Sequence, residues 1–157
     1  MIAEAASPAP LAHVSSHFSF DLAAPLAKAA PMFGPDGERA WAGEQWNPSF
    51  LYPTSARDIE GAVFTVAHGP VTSVWVNTIF DLAGGRMQYV CMRPDVMVAT
   101  IDVRLTATLT GTHVEVTYMR TALRSEHNAT VEAMGEKDRA SGPQWQAAIT
   151  GALKAAQ

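Results

Sequence analysis

The chain has 157 residues and a formal net charge of -4, with a sequence pI near 5.7. That length makes one domain that buries about two-thirds of its unfolded surface, and the acidic balance argues against nucleic acid and anionic membranes as main partners, since both demand a basic surface. A single cysteine, Cys91, rules out an internal disulfide and fits a reducing cytoplasm, the expected location.

Residues 1–12 (MIAEAASPAPLA) are Ala- and Pro-rich without periodicity and are expected to form a flexible tail ahead of a single domain over residues 13–157. The first basic residue is Lys28, so the start lacks the positive region of a secretory signal. Without secretion, Asn128-Ala129-Thr130 reads as a chance sequon. No run of 18 apolar residues predicts a membrane span, so no membrane insertion is expected.

Val14 to Leu22 (VSSHFSFDL) alternates well enough for a strand. His13 and His17 would share a strand face but stand too far apart to hold an ordinary metal ion together, and neither a metal nor a cofactor is expected. Pro25 opens a short helical piece at a favoured first position, with Leu26, Ala30 and Phe33 on one stripe. Pro31 shortens or kinks it. Gly34-Pro35-Asp36-Gly37 is a turn, without the Gly-Lys-Ser/Thr of a phosphate loop, and Glu38 to Ala42 adds a further helical turn. Gly43 to Pro53 (GEQWNPSFLYP) carries two prolines that argue against a regular element. Trp41, Trp46, Phe50 and Tyr52 suggest a cap on something apolar, either plain core packing or the lid of a pocket.

Five strand-like segments follow: Ala62–His68, Val71–Asp81, Arg86–Met92, Val96–Thr108 and Thr112–Thr121. They are rich in Val, Ile, Thr, Tyr and Trp, and Gly-Pro, Gly-Gly and Thr-Gly turns separate most of them. Ile101, Val103 and Leu105 alternate with Asp102 and Arg104, and Val114, Val116 and Tyr118 with Glu115, so one face of an antiparallel sheet is apolar and the other is wet. The face of Trp75 is ambiguous because Val74 and Val76 flank it. Cys91 reads as a small core residue rather than a nucleophile.

Asn128 is placed to cap a helical piece running to Asp138, and Ser141 with Gln144 reads as a capping box. Trp145, Ala148, Ile149, Ala152, Leu153 and Ala156 make the strongest helical stripe in the chain, and its apolar face must lie on the sheet. The pattern fits either one long helix broken at Gly142-Pro143 or two separate helices.

The order of elements gives an α+β, helix-grip fold: a curved antiparallel sheet of six to seven strands wrapped on a C-terminal helix, with two short helices after the first strand. The stretch Ala24-Pro25 through Phe33-Gly34-Pro35-Asp36-Gly37-Glu38-Arg39-Ala40-Trp41 resembles the first-helix and GER-x-W region of uncharacterised proteins in the START-like superfamily, also called SRPBCC. Gln45-Trp46-Asn47-Pro48-Ser49-Phe50 resembles the W-[DN]-P-x-F segment that follows in them, and Gly61 to Phe64, Val74-Trp75, Tyr118 and Thr121 to Leu123 fit the same layout. The resemblance covers about residues 14–156. It implies a cavity between sheet and last helix that takes lipids, sterols, polyketides or other apolar molecules; some members are cyclases or aromatases, others dehydratases or co-chaperones.

The expected partner is therefore a small apolar or amphipathic molecule, with a homodimer left open. The expected lining is Trp46, Trp75, Tyr89, Met92, Tyr118, Arg120 and Trp145. Arg120 shares strand parity with Tyr118. In a cavity it would hold a ligand carboxylate or phosphate; otherwise it sits at the surface or pairs with an internal carboxylate such as Glu38 or Asp36, the arrangement that the cost of an unpaired buried charge favours. A cyclase- or dehydratase-type enzyme would draw its acid or base from His68, Tyr89, Tyr118, Arg120 and Glu38. A third reading is an interaction module marked by a large exposed apolar patch.

Overall fold

The computed structural model describes residues 9–156. Seven strands form one sheet: β1 (His13–Leu22), β2 (Ser49–Tyr52), β3 (Val63–His68), β4 (Val71–Asp81), β5 (Arg86–Arg93), β6 (Met97–Thr108) and β7 (Gly111–Ala122). Their spatial order is β1-β7-β6-β5-β4-β3-β2, and every pairing is antiparallel. The helices are α1 (Leu26–Ala29), α2 (Asn128–Arg139) and α3 (Gly142–Ala155), with 3-10 turns at Ala30–Phe33, Gly37–Ala40 and Ser125–His127. This is the helix-grip α+β architecture that the order of elements predicts.

Period two sets the core face. Phe18, Phe20 and Leu22 on β1, Phe64 and Val66 on β3, Met87, Tyr89 and Cys91 on β5, Ala99 through Leu105 at alternate positions on β6, and Val114 and Val116 on β7 are all buried. On β4 the register shifts between Asn77 and Ile79. The bulge moves the inward set from Ser73, Trp75 and Asn77 to Phe80, which packs on the main core. Trp75 therefore faces inward, and the ambiguity left by its apolar neighbours is resolved by pairing: it lies opposite the buried Cys91. Burial pushes the Cys91 thiol up to about 12, which suits a small core residue.

On the outer face, Asp102 accepts from Arg104 at 2.9 Å, Gln88 at 3.1 Å and Arg86 at 3.3 Å. Partial burial works against its charge, but these donors together hold its carboxyl below the usual range. The expected wet face is thus an ordered charge network. His13 and His17 also point outward and bond to Thr121 and Thr117 across the strand pair, at 2.8 and 3.2 Å.

Four local expectations give way to tertiary context. Ser49–Tyr52 is a strand, short enough to fit between Pro48 and Pro53 and placed at the sheet edge, where a missing N–H is tolerated. Pro25 is the cap of α1 rather than its first residue. Asn128 does not cap α2: its side chain accepts from the Ala12 N–H at 2.8 Å and donates to the Pro10 carbonyl at 2.9 Å, tying down the end of the stretch expected to be a tail. Residues 1–8 of that stretch lie outside the described residues. Ser141 does not form a capping box either. Its backbone is helical, and its hydroxyl donates back to the Lys137 carbonyl at 2.9 Å.

The helical region at the C-terminus is two helices, broken at Ala140-Ser141, because Pro143 cannot donate into a continuous ladder. α2 lies close on β1: a Cβ at Gly135 would stand 2.5 Å from Val14 Cγ1. α3 buries Ile149 completely and brings Trp145 against Phe18 of β1, with ring centroids 5.1 Å apart.

Candidate functional site

Between the sheet, α3 and the segment after α1 lies a cavity of about 230 Å³. The segment is shaped by close backbone contacts. A Cβ at Gly37 would stand 1.9 Å from the Pro31 carbonyl oxygen, and one at Gly34 would stand 2.0 Å from the Asp58 carboxylate. Asp58 accepts from the Asp36 N–H at 2.8 Å and the Gly37 N–H at 3.1 Å. That clamp fixes the turn from which Glu38 and Trp41 project.

Arg39 joins the two halves of the cap. It donates to Asp36 at 3.0 Å, to the Asn47 side chain at 2.9 Å and to the Pro48 carbonyl. The GER-x-W and W-N-P segments hold each other through this one guanidinium, which presents its planar fork to three acceptors. Trp41 Nε1 donates to the Met32 carbonyl at 2.7 Å, and Trp46 Nε1 to the Pro35 carbonyl at 2.8 Å. On β4, Trp75 Nε1 donates to Ser73 Oγ at 2.8 Å. Three of the four indole N–H groups are therefore spent on the wall.

Two aromatic groups line the space. Trp46 meets Trp75 edge-on at 5.3 Å, and Phe64 stacks on Trp75 at 5.9 Å. Trp41 tilts against Trp145 at 4.8 Å. Such pairs each add about 0.5–1.5 kcal/mol beyond area burial. All four tryptophans of the chain line this one cavity.

The polar groups are few. Glu38 lines the cavity, and its carboxyl makes no hydrogen bond to another described residue. Burial, with the charge of Asp58 adding, pushes that carboxyl well above the usual range. Tyr118 lines the same space, and its hydroxyl is pushed up by burial and by the proximity of Glu38. Tyr89 is engaged elsewhere: its hydroxyl donates to the Phe33 carbonyl. Burial, followed by the charges of Glu38 and Asp58, raises it too. Gln144 of α3 stands at the exposed rim.

Of the seven residues expected to line a ligand site, Trp46, Trp75, Tyr89, Tyr118 and Trp145 do surround the cavity. Met92 does not. It is 41% exposed on the outer face of β5, since parity with the buried Tyr89 and Cys91 turns it away. Arg120 is 6% exposed and faces inward, but it is bound: both terminal nitrogens reach the Asp138 carboxylate on α2, and its guanidinium carbon lies 4.2 Å from the Tyr118 ring centroid. Ser16 Oγ donates to the same carboxylate at 2.7 Å. The expected internal partner exists, but it is Asp138 rather than Glu38 or Asp36.

The sequence offers Glu38 as a candidate acid or a partner for Arg120 and Trp41 as part of a cap, but it does not single out Glu38, Trp41 or Phe64 as lining. The inward parity of Phe64 opposite Trp75 was the available signal. Of the acid–base groups, Glu38, Tyr89 and Tyr118 converge, while His68 lies outside the cavity at the end of β3. No group of three His, Cys, Asp or Glu that could hold a metal occurs among the described residues. Among them, too, no helix is long and apolar enough to cross a membrane.

No protein-family model matches this chain, and no curated protein matches it in sequence. Solved structures do match in fold. An uncharacterised protein from Rhizobium leguminosarum aligns with a TM-score of 0.66 at 12% identity, over 93% of this chain and 97% of that one. Ara h 8.0201 aligns at 0.66 and 14% identity, over 92% and 99%. Norcoclaurine synthase from Thalictrum flavum, solved with dopamine and hydroxybenzaldehyde, aligns at 0.64 and 11% identity, over 93% and 87%. The shared architecture is the helix-grip α+β fold, a curved antiparallel sheet with a C-terminal helix.

Proposed function

We propose that the chain binds a small, largely apolar molecule in the cavity between the sheet, the cap and α3. One observation carries this reading: four indoles, two tyrosines and one carboxyl without a hydrogen-bond partner among the described residues converge on a single recessed, partly open space. A plain core closes such a space, because an apolar void forfeits contacts along its whole lining. Ligand sites instead combine an apolar wall with a few placed polar groups.

Volume selects the ligand class within the apolar molecules implied by the resemblance. About 230 Å³ lies below the usual range of roughly 300–1,000 Å³ for drug-sized ligands. A dry cavity of about 150 Å³ holds benzene. A one- or two-ring molecule suits the space, whereas a sterol or a long acyl chain exceeds it. Norcoclaurine synthase, which shares the fold, was solved with two single-ring molecules, in keeping with a ligand of this size.

The test is native mass spectrometry of the purified protein with identification of any retained small molecule, followed by titration of tryptophan fluorescence with indole and 1-naphthol. Binding at one site, weakened in Trp75→Ala and unchanged in Met92→Ala, supports the reading. Absence of binding by every apolar probe overturns it.

A second reading is an acid–base enzyme of the cyclase or dehydratase type. Glu38 favours it, since a carboxyl that burial holds protonated above the usual carboxylate range is suited to proton transfer, and the Tyr118 hydroxyl lines the same space as a second donor. Turnover of a bound molecule in the native protein, abolished in Glu38→Gln while binding persists, distinguishes an enzyme from a binder.

A further inference from the structure

From the lining of the cavity we infer that its ligand is a compact organic cation, an amine or quaternary ammonium carried on an apolar body. The inference rests on the binding reading above and names the chemistry of that ligand.

The wall is assembled to attract positive charge. Indole and phenol rings carry negative potential on their faces, and Trp is the best of the aromatic partners for a cation. Trp41, Trp46 and Trp75 turn their N–H groups away into hydrogen bonds with Met32, Pro35 and Ser73. Those indoles therefore have no N–H left to donate to a ligand and meet it through their apolar, electron-rich rings alone. The one ionisable acid in the lining, Glu38, has no hydrogen-bond partner among the described residues, and no lysine, arginine or histidine lines the space with it.

The surrounding charges agree in sign. Burial raises the Glu38 carboxyl, and the negative charge of Asp58, from the chain ahead of β3, raises it further. Tyr89 of β5 and Tyr118 of β7 face it from the sheet, and Gln144 of α3 is neutral. On its own segment, Asp36 and Arg39 satisfy each other at 3.0 Å. Behind Tyr118, Arg120 is neutralised by Asp138. An anionic ligand would meet Glu38, with the charge of Asp58 behind it, and no cation in the lining. A neutral ligand would leave Glu38 to be desolvated without compensation. A cation supplies the missing partner.

The prediction has a proton signature. In the empty cavity burial favours the protonated carboxyl. A bound cation favours the carboxylate, so binding releases a proton and affinity rises with pH. Asp58 is also raised and titrates in the same sense, so removing Glu38 is needed to isolate its share.

The experiment uses the full chain and two probes of one shape, phenyltrimethylammonium and tert-butylbenzene, which differ by one unit of permanent charge. Affinities are measured by tryptophan fluorescence between about pH 5 and about pH 8. The cation is expected to bind roughly tenfold or more tightly at the upper end than at the lower end, by proton linkage. The neutral probe is expected to stay flat or weaken. Glu38→Gln should abolish the cation's pH dependence while keeping the neutral probe, and Glu38→Asp, which keeps the charge, should retain part of it. Thermal melts of both variants establish that they fold. Equal pH profiles for the two probes, or a cation indifferent to Glu38→Gln, overturn the cation inference and leave the apolar pocket standing. Failure of both probes to bind overturns the pocket and the inference together.

Discussion

The indole of Trp41 lies 4.8 Å from that of Trp145, tilted by 60°. This contact joins the cap segment after α1 to the C-terminal helix, two parts of the chain separated by the six strands β2 to β7. It makes one side of the cavity, and Trp145 is in turn held edge-on by Phe18 of β1.

Trp41→Ala should therefore act on the site and on the fold together. Both rings of the pair are only half-buried, so the cost should fall below the roughly 3–5 kcal/mol typical of a fully buried Trp. A loss of about 1.5–3 kcal/mol, read by denaturant unfolding, should accompany a wider cavity and at least tenfold weaker binding of a one-ring probe.

Asp138→Ala should be among the most damaging substitutions. It strands the buried Arg120 guanidinium and frees Ser16 Oγ, at a cost of about 3–5 kcal/mol. The double change Arg120→Met with Asp138→Leu should recover most of that loss, because it removes both charges. A double-mutant cycle by chemical unfolding checks this. A double variant no more stable than Asp138→Ala would contradict it.

The raised carboxyls fix the sign of the pH dependence. Glu38 and Asp58 both hold their protons to higher pH in the fold than in the unfolded chain. The native state then binds more protons than the unfolded state, so these two groups make stability fall as pH rises from the ordinary carboxylate range through their raised values. Glu38→Gln should stabilise the empty protein at neutral pH, do little near about pH 4, and flatten the slope between. Unfolding free energy measured across that window tests it, and an unchanged slope would show that Glu38 is already ionised.

Gly37→Ala should displace the turn that carries Glu38. The added Cβ meets the Pro31 carbonyl oxygen, a backbone atom that cannot swing aside. Overpacking of this kind costs about 1–3 kcal/mol. Ligand affinity should fall more than in Met92→Ala, whose side chain lies on the opposite face of the sheet.

Much of this molecule follows from local pattern. Alternation on β6 and β7 determined which side of each strand faces the core, because a one-residue slip would turn Ile101, Val103 and Val116 to water. The stripe through Trp145 and Ile149 determined that the last helix lies on the sheet, since only there can that face leave water. The cluster of aromatic residues between Trp41 and Tyr52 showed that the segment covers something apolar. What the pattern left open depended on partners distant in sequence. The inward face of Trp75 followed from its pairing with β5, whereas the outward turn of Met92 follows from strand period alone, since it has the opposite parity to Tyr89 and Cys91. Arg120 found its carboxylate on the helix α2, where no strand period could place it. Asn128 and Ser141 carry sequence signatures of helix caps, yet one bonds the segment before β1 and the other the preceding helix, α2. The lone acid in an aromatic cavity is a property of tertiary structure alone: Glu38 is an ordinary surface residue type until the Asp58 clamp and the Arg39 bridge turn it inward.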